Sequence, residues 1–285
     1  LTMRVHRLFA SPAPVLAAAL LAVATSASAQ TGQPRNPCRD SADSDRPSHC
    51  EVRELAVPIV GDLLTVDAMP NGGISVHGWN RHEIQLQAKV TASADTVEQA
   101  RALAGQVRVL TDGGRLRAEG PRPQDGSGWS VSYDVMVPSQ WNLDLATRNG
   151  GVSIAGVQGQ IAFSTTNGGI RLSDVNGDVK GSTVNGGVRV ELTGAGWDGE
   201  GLDVETKNGG VKLSVPDGYS AHLETGTHNG GLRVDFPVTV QGDVRREINT
   251  DLGNGGAPIR LRTVNGGVTV EKKYGRPGGP RQPDA

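Results

Sequence analysis

The chain has 285 residues, a formal net charge of −2 and 40 glycines, with aromatic residues at only 4%. A near-neutral balance does not predict nucleic acid as the main partner, since no basic surplus is present to meet phosphates. Few large side chains and many glycines exclude a thick globular core and favour thin β layers with tight connections.

The chain begins with a pattern of export. Arg4, His6 and Arg7 precede a short apolar run over 14–24, and Ala27-Ser28-Ala29 stands before Gln30. A basic start, a short apolar stretch and a small-residue cleavage site predict a signal peptide over 1–29. The run is too short to cross a bilayer, and no later segment is apolar enough, so no transmembrane segment is expected after cleavage. Residues 30–50 form a polar leader. Its Cys38 and Cys50 would meet an oxidising compartment after export, which predicts a disulfide. Zinc held by Cys38, His49 and Cys50 is the competing reading. It is disfavoured because two of the three are adjacent and no fourth ligand is evident.

Residues 51–147 read as a β-rich N-terminal part. Ile74-Ser75-Val76 follows Asn71-Gly72-Gly73, and Ile84, Leu86 and Val90 alternate. A helix is expected near 95–104, with Asp95 as cap, Glu98 as capping-box partner and Gly105 as its end. Val97, Ala100, Leu103 and Ala104 supply its apolar stripe. Strands are expected again at 107–110, 115–118, 130–137 and 141–146. This part is expected to cover the N-terminal edge of the segment after residue 147, because an open strand edge invites further pairing.

Residues 148–273 repeat one motif. It occurs at Asn149-Gly150-Gly151, Asn167-Gly168-Gly169, Asn185-Gly186-Gly187, Asn208-Gly209-Gly210, Asn229-Gly230-Gly231 and Asn265-Gly266-Gly267, with an off-pattern copy at Asn254-Gly255-Gly256. Most copies are preceded by Thr-x and followed by an apolar, any, apolar triplet, such as Ile170-Arg171-Leu172 or Val188-Arg189-Val190. Alternation of period 2 predicts a strand with one buried face. A second short strand is due about nine residues later, as in Ile161-Ala162-Phe163. One Asn-Gly between apolar runs suggests a hairpin with positive φ at the pair. The same junction recurring in phase suggests instead a coil laid on a coil. The expectation is an all-β fold: a right-handed parallel β-solenoid of five to seven coils on Asn-Gly-Gly turns, with Asn laddered at one corner. Val152, Ile154, Ile161, Phe163, Ile170, Leu172, Val188, Val190, Val211 and Leu213 should form its core. Residues 274–285 read as a disordered tail.

The signal peptide, the Cys38–Cys50 leader running into Cys50-Glu51-Val52-Arg53-Glu54, the helix after the first strands and the serial Thr-x-Asn-Gly-Gly repeats together resemble the bacterial putative-adhesin family. The resemblance covers about 51–273. It implies a β-strand-repeat envelope protein of unknown function, and it supplies no catalytic or binding residue.

The chain carries little catalytic chemistry. A nucleophile elbow and a cysteine beside a base are both missing. The Gly-rich junctions precede strands, whereas a phosphate loop opens a helix. His49, His77, His82, His222 and His228 lack ligand spacing, and Asn176-Gly177-Asp178 is a weak calcium cue. No cofactor or metal is expected. Trp141 should pack at a strand start, while Trp197, in the loop 193–201, is equally open to packing or exposure.

One pattern points outward. The residue between the two apolar ones is basic in four repeats, Arg171, Arg189, Lys212 and Arg233, and Arg260 could extend the series. Stacked coils would align them into a ladder suited to a polyanion. The same charges could simply keep the surface soluble. The functional expectation is a non-catalytic exported envelope protein, an adhesin or surface-interaction module, whose partner is an envelope glycan, lipopolysaccharide or a protein. A parallel β-helix enzyme acting on polysaccharide and a purely structural or stress-related envelope component are the alternatives.

Overall fold

The computed structural model describes residues 38, 46–124, 126–235 and 246–273. The expected signal peptide, most of the leader and the tail 274–285 lie outside the described residues.

The N-terminal part contributes β1 (Ser48–Val57), β2 (Leu63–Asp67), β3 (Ile74–Trp79), β4 (Ile84–Ser93), α1 (Val97–Gln106), β5 (Arg108–Asp112), β6 (Arg115–Glu119) and β7 (Gly128–Pro138). The repeats then supply strands in pairs. These are β8 (Asn142–Ala146) with β9 (Val152–Ala155), β10 (Gln158–Asn167) with β11 (Ile170–Ser173), β12 (Asn176–Asn185) with β13 (Val188–Glu191), β14 (Gly201–Asn208) with β15 (Val211–Val215), and β16 (Ala221–Asn229) with β17 (Leu232–Val234). β18 (Glu247–Leu252) precedes a last pair, β19 (Pro258–Asn265) and β20 (Val268–Lys272).

Within each pair, one strand lies in one ten-stranded sheet and its partner in the other. Equivalent strands of neighbouring repeats join in parallel and in register. Ile161 stands beside Val179, and Ile170 beside Val188. Hairpins would instead have paired β10 with β11 antiparallel. This is a solenoid-like repeat: each coil crosses from one sheet to the other and rests on the coil before it. The inward residues of the two sheets meet in one core. All ten expected core residues are buried, from Leu172 at 0% exposure to Phe163 at 4%. Phe163 finds room because its partner in the next coil is Gly181, where a Cβ would stand 2.0 Å from the Phe163 ring.

The coils do not stack in chain order. β19 lies between β14 and β16, and β20 between β15 and β17. The last pair is thus inserted beneath the one that precedes it. Charge favours this order. Stacking in chain order would set the acidic face of β16, with Glu224, against Asp203 of β14. The inserted β19 puts Arg260 between them, in register with both. Arg260 Nε donates to Glu224 at 2.9 Å, and Arg262 lies 3.7 Å from Glu205. In the other sheet, Thr269 of β20 separates Lys212 from Arg233. Opposite charges facing across strands attract, and like charges repel.

Beyond β3, one sheet continues through β7, β4 and β1; beyond β2, the other continues through β6 and β5. α1 differs from the expected helix at both ends. Its cap is Thr96, whose hydroxyl accepts from Gln99 N at 3.2 Å while the Gln99 side chain accepts from Thr96 N. Asp95 and Glu98 are the pair expected from sequence; Thr96 and Gln99 have the same three-residue spacing and take the capping box instead. The helix runs through Gly105 to Gln106. Arg53 ties it to β1, donating to the carbonyls of Ala104 and Val107 at its C-terminal end, where cations are favoured. Cys38 and Cys50 are bonded, with Cα atoms 5.6 Å apart, so the zinc reading of these two and His49 fails.

Candidate functional site

Each part of Thr-x-Asn-Gly-Gly has its own contact with the adjacent coil. The Thr side chain turns inward: Thr183 Oγ1 donates to the carbonyl of Gly168 at 2.8 Å, and Thr165 to Gly150 at 2.8 Å. The Asn side chain turns outward and donates to the Asn before it. Asn167 binds Asn149 at 2.7 Å, Asn185 binds Asn167 at 2.8 Å, and the series runs from Asn71 through Asn149, Asn167, Asn185, Asn208 and Asn265 to Asn229. The first Gly is required by closeness. A Cβ on Gly168 would stand 1.9 Å from the carbonyl oxygen of Gly150, and one on Gly186 would stand 2.0 Å from that of Gly168. The expected positive φ is not the reason: none of the glycines in the six in-phase copies from 149 on has a left-handed φ. Left-handed glycines lie elsewhere, at Gly177 in another column and at the off-pattern Gly255.

The second Gly leaves a gap on the surface. Gly151, Gly169, Gly187, Gly210 and Gly267 are exposed, and with Gly73 they floor an open groove of about 630 Å³ that crosses the coils. The Asn ladder stands one step before this floor. The column one step after it is Ser75, Ser153, Arg171, Arg189, Lys212 and Thr269, which also lines the groove. Period-2 alternation puts the second Gly and the basic residue on the same outer face; the exposed Asn ends the strand of the other sheet, where the alternation breaks between the inward Thr and the outward Asn.

The four expected ladder residues divide here. Arg171, Arg189 and Lys212 are consecutive and in register. Arg233 is set apart by Thr269 and lies outside the groove lining. Arg260 does not extend the column, because it lies in the other sheet on β19. The missing signal was coil order: spacing alone cannot show that the last pair is inserted. Two of the four cations are already paired. Lys212 Nζ lies 2.9 Å from Glu271, whose carboxyl is held below its ordinary range mainly by that hydrogen bond. Arg233 Nε lies 2.8 Å from Asp235. Arg171 and Arg189 have no ion pair among the described residues.

The other residues weighed for chemistry do not converge. His222 Nδ1 is 2.7 Å from Asp251, His77 is 3.7 Å from Asp134, and His82 meets the edge of Trp141. Asp178 pairs with Lys180 at 3.0 Å. Among the described residues, no three His, Cys, Asp or Glu side chains gather as a metal site. Trp141 is buried just before β8, and Trp197 is also buried, donating to Gly177 O at 3.0 Å. No aromatic row is left among the described residues for stacking on sugars.

The repeat geometry has counterparts among known sequences. The profile of the family described as Toastrack DUF4097 matches residues 80–271. The chain belongs to that Toastrack family. No curated protein matches it. Three solved structures align with the Toastrack chain over 79% of its length. A putative cell adhesion protein from Clostridium sporogenes is 9% identical, is covered over 100% of its own chain and has a TM-score of 0.42. A putative adhesin from Bacteroides fragilis is 9% identical, covered over 97%, at 0.28. A putative lipid binding protein from Parabacteroides distasonis is 11% identical, covered over 97%, at 0.30. The resemblance to the putative-adhesin family read from the repeats agrees with this membership.

Proposed function

We propose that this Toastrack protein is an exported, non-catalytic surface-interaction module that holds an anionic envelope glycan, such as the sugar–phosphate part of lipopolysaccharide, along its groove. The observation that carries the reading is a side-chain-free glycine floor with an in-register basic column beside it, in which Lys212 is already held by Glu271 while Arg171 and Arg189 have no ion pair among the described residues. Neighbouring coils put these charges about 4.8 Å apart, where they repel. Ser75, Ser153 and Thr269 occupy the same column elsewhere, so the fold itself does not require charge there. An extended anion laid in the groove would relieve the repulsion and meet the guanidinium forks. The exposed edges of the Asn amides would face its hydroxyls.

The disulfide supports export, because such bonds persist in oxidising compartments; periplasm, outer surface and medium all meet that condition. The coils are taken to be right-handed, the hand of nearly all parallel crossovers, with Asn-Gly-Gly forming one corner of each. Of the polysaccharide-active enzymes, a hydrolase fits the groove less well. Hydrolysis of a glycosidic bond generally needs two carboxylates flanking it, and the groove lining contains no Asp or Glu.

The test is retention of the folded chain on immobilised heparin and lipopolysaccharide at low and high salt. Wild type should be retained at low salt and released at high salt. The variant with Arg171, Arg189, Lys212 and Arg233 all changed to Gln should pass through unretained. Equal retention of variant and wild type would refute the proposal.

A further inference from the structure

The groove does not present an even row of charge. Lys212 is neutralised by Glu271, which also accepts from Ser214 Oγ at 2.9 Å. Arg233 is neutralised by Asp235 and separated by an uncharged rung. On the other side of the two arginines, the column continues as Ser153 and Ser75. The uncompensated charge is therefore confined to two adjacent rungs, Arg171 and Arg189, both exposed. Glu191 is two residues after Arg189 on the same face, away from the glycine floor, and the two form no ion pair.

A second observation indicates what sits beside them. At the N-terminal end of the floor, Gly73 N donates to the hydroxyl of Ser132 at 3.1 Å. The corresponding N–H groups of Gly151, Gly169, Gly187, Gly210 and Gly267 donate to no acceptor among the described residues, and only at Gly169 and Gly187 does an unpaired cation stand on the same rung. Their neighbours in register are glycines, which bring no side-chain oxygen. One end of the column thus carries an oxygen over a floor N–H, and the rungs beside the free arginines leave that place open. Two forked guanidiniums with backbone N–H groups alongside match a single oxyanion, carboxylate, sulfate or phosphate.

Resting on the groove reading above, we infer that its anionic subsite is the pair Arg171 and Arg189 alone, and that it takes one oxyanion group of a sparsely charged glycan. The sugars on either side of that group run along uncharged stretches, past Ser153 and Ser75 in one direction and past the neutralised Lys212 in the other. A densely charged polymer gains nothing from its extra charges, because no free cation among the described residues of the groove remains to meet them.

The experiment compares two double variants of the full chain, Arg171→Gln/Arg189→Gln and Lys212→Gln/Arg233→Gln, by calorimetric titration at low ionic strength. The probes are a hyaluronan oligosaccharide, with a carboxylate on alternate sugars, and uncharged dextran of similar length. Wild type should bind hyaluronan and not dextran. The arginine pair variant should lose about tenfold or more in affinity, as loss of charged hydrogen bonds implies. The other variant should stay within about threefold of wild type, since its cations are already compensated. Thermal melts check folding, and the arginine variant should melt at or above the wild-type temperature, because a like-charge pair has been removed. If both variants lose affinity equally, the discrete subsite is overturned while the groove survives as a diffuse basic column. If both bind as wild type does, or wild type binds neither probe, the groove reading falls with it. If dextran binds as tightly as hyaluronan, the oxyanion is not what is recognised.

Discussion

Replacing Gly168 by alanine puts a methyl group where the backbone of the adjacent coil already stands. The added Cβ would lie 1.9 Å from Gly150 O, 2.4 Å from Gly150 C and 2.8 Å from Gly151 N. All three are backbone atoms, so no side chain can swing aside. Restoring ordinary contact requires the two coils to part locally by roughly 1.5 Å. That opening strains the bond from Gly150 N to Asn167 O, now 3.1 Å, and the Thr165 hydroxyl bond to Gly150. Two hydrogen bonds at about 1 kcal/mol each, plus about 1–3 kcal/mol for overpacking, give a loss of about 3–5 kcal/mol. The control is the same substitution at Gly105, inside α1, where nothing lies within 4 Å of the added Cβ. Alanine there should stabilise by about 0.5–1 kcal/mol. Urea unfolding followed by circular dichroism measures both. Opposite shifts in midpoint are expected. A Gly168→Ala protein within about 1 kcal/mol of wild type would refute close coil approach as the reason for this glycine.

Three further outcomes rest on other contacts. Thr183→Val keeps the shape but removes the buried hydroxyl that donates to Gly168 O, leaving that half-buried carbonyl short of a partner; about 1–2 kcal/mol of stability should be lost in the same assay. Gly181→Ala forces its methyl into the Phe163 ring, whereas together with Phe163→Leu it should do much less harm, and a double-mutant cycle should show coupling of about 1 kcal/mol or more. Glu224, through its hydrogen bond to Arg260, and Glu271, through its bond to Lys212, have carboxyl pKa values below the ordinary 4.5. Their contribution is present above that ordinary value and is lost as pH falls through the lower folded one. Melting temperature should therefore hold down to about pH 5 and drop below 4.5, with a shallower drop in Glu224→Gln.

Much of this fold is legible in the residues because period 2 and the in-phase motif are local signals. Ile170, Leu172, Val188 and Val190 alternate with polar residues, and no arrangement other than a half-buried strand suits them. The Asn ladder is legible for the same reason. The features that local signals misstate depend on contacts between coils. Asn-Gly-Gly suggests left-handed backbone, yet Gly168 is needed because the neighbouring carbonyl of Gly150 comes so close. The inserted last coil is invisible to spacing, although its charges hint at it: Arg260 and Arg262 match the acids Asp203, Glu205 and Glu224, which would otherwise adjoin. The candidate site is half legible. The basic positions can be read, but which of them are neutralised cannot, because Lys212 meets Glu271, distant in the chain and on the adjoining strand.

The most direct test of the groove is a titration of isotope-labelled protein with a hyaluronan oligosaccharide, monitored through the backbone amide signals of the glycines in nuclear magnetic resonance. The signals of Gly169 and Gly187 should move first and furthest, those of Gly151 and Gly210 less, and those of the opposite sheet, such as Gly181, not at all. Shifts spread evenly over both sheets, or confined to the acid-rich strands β14 and β16, would contradict a ligand seated beside Arg171 and Arg189.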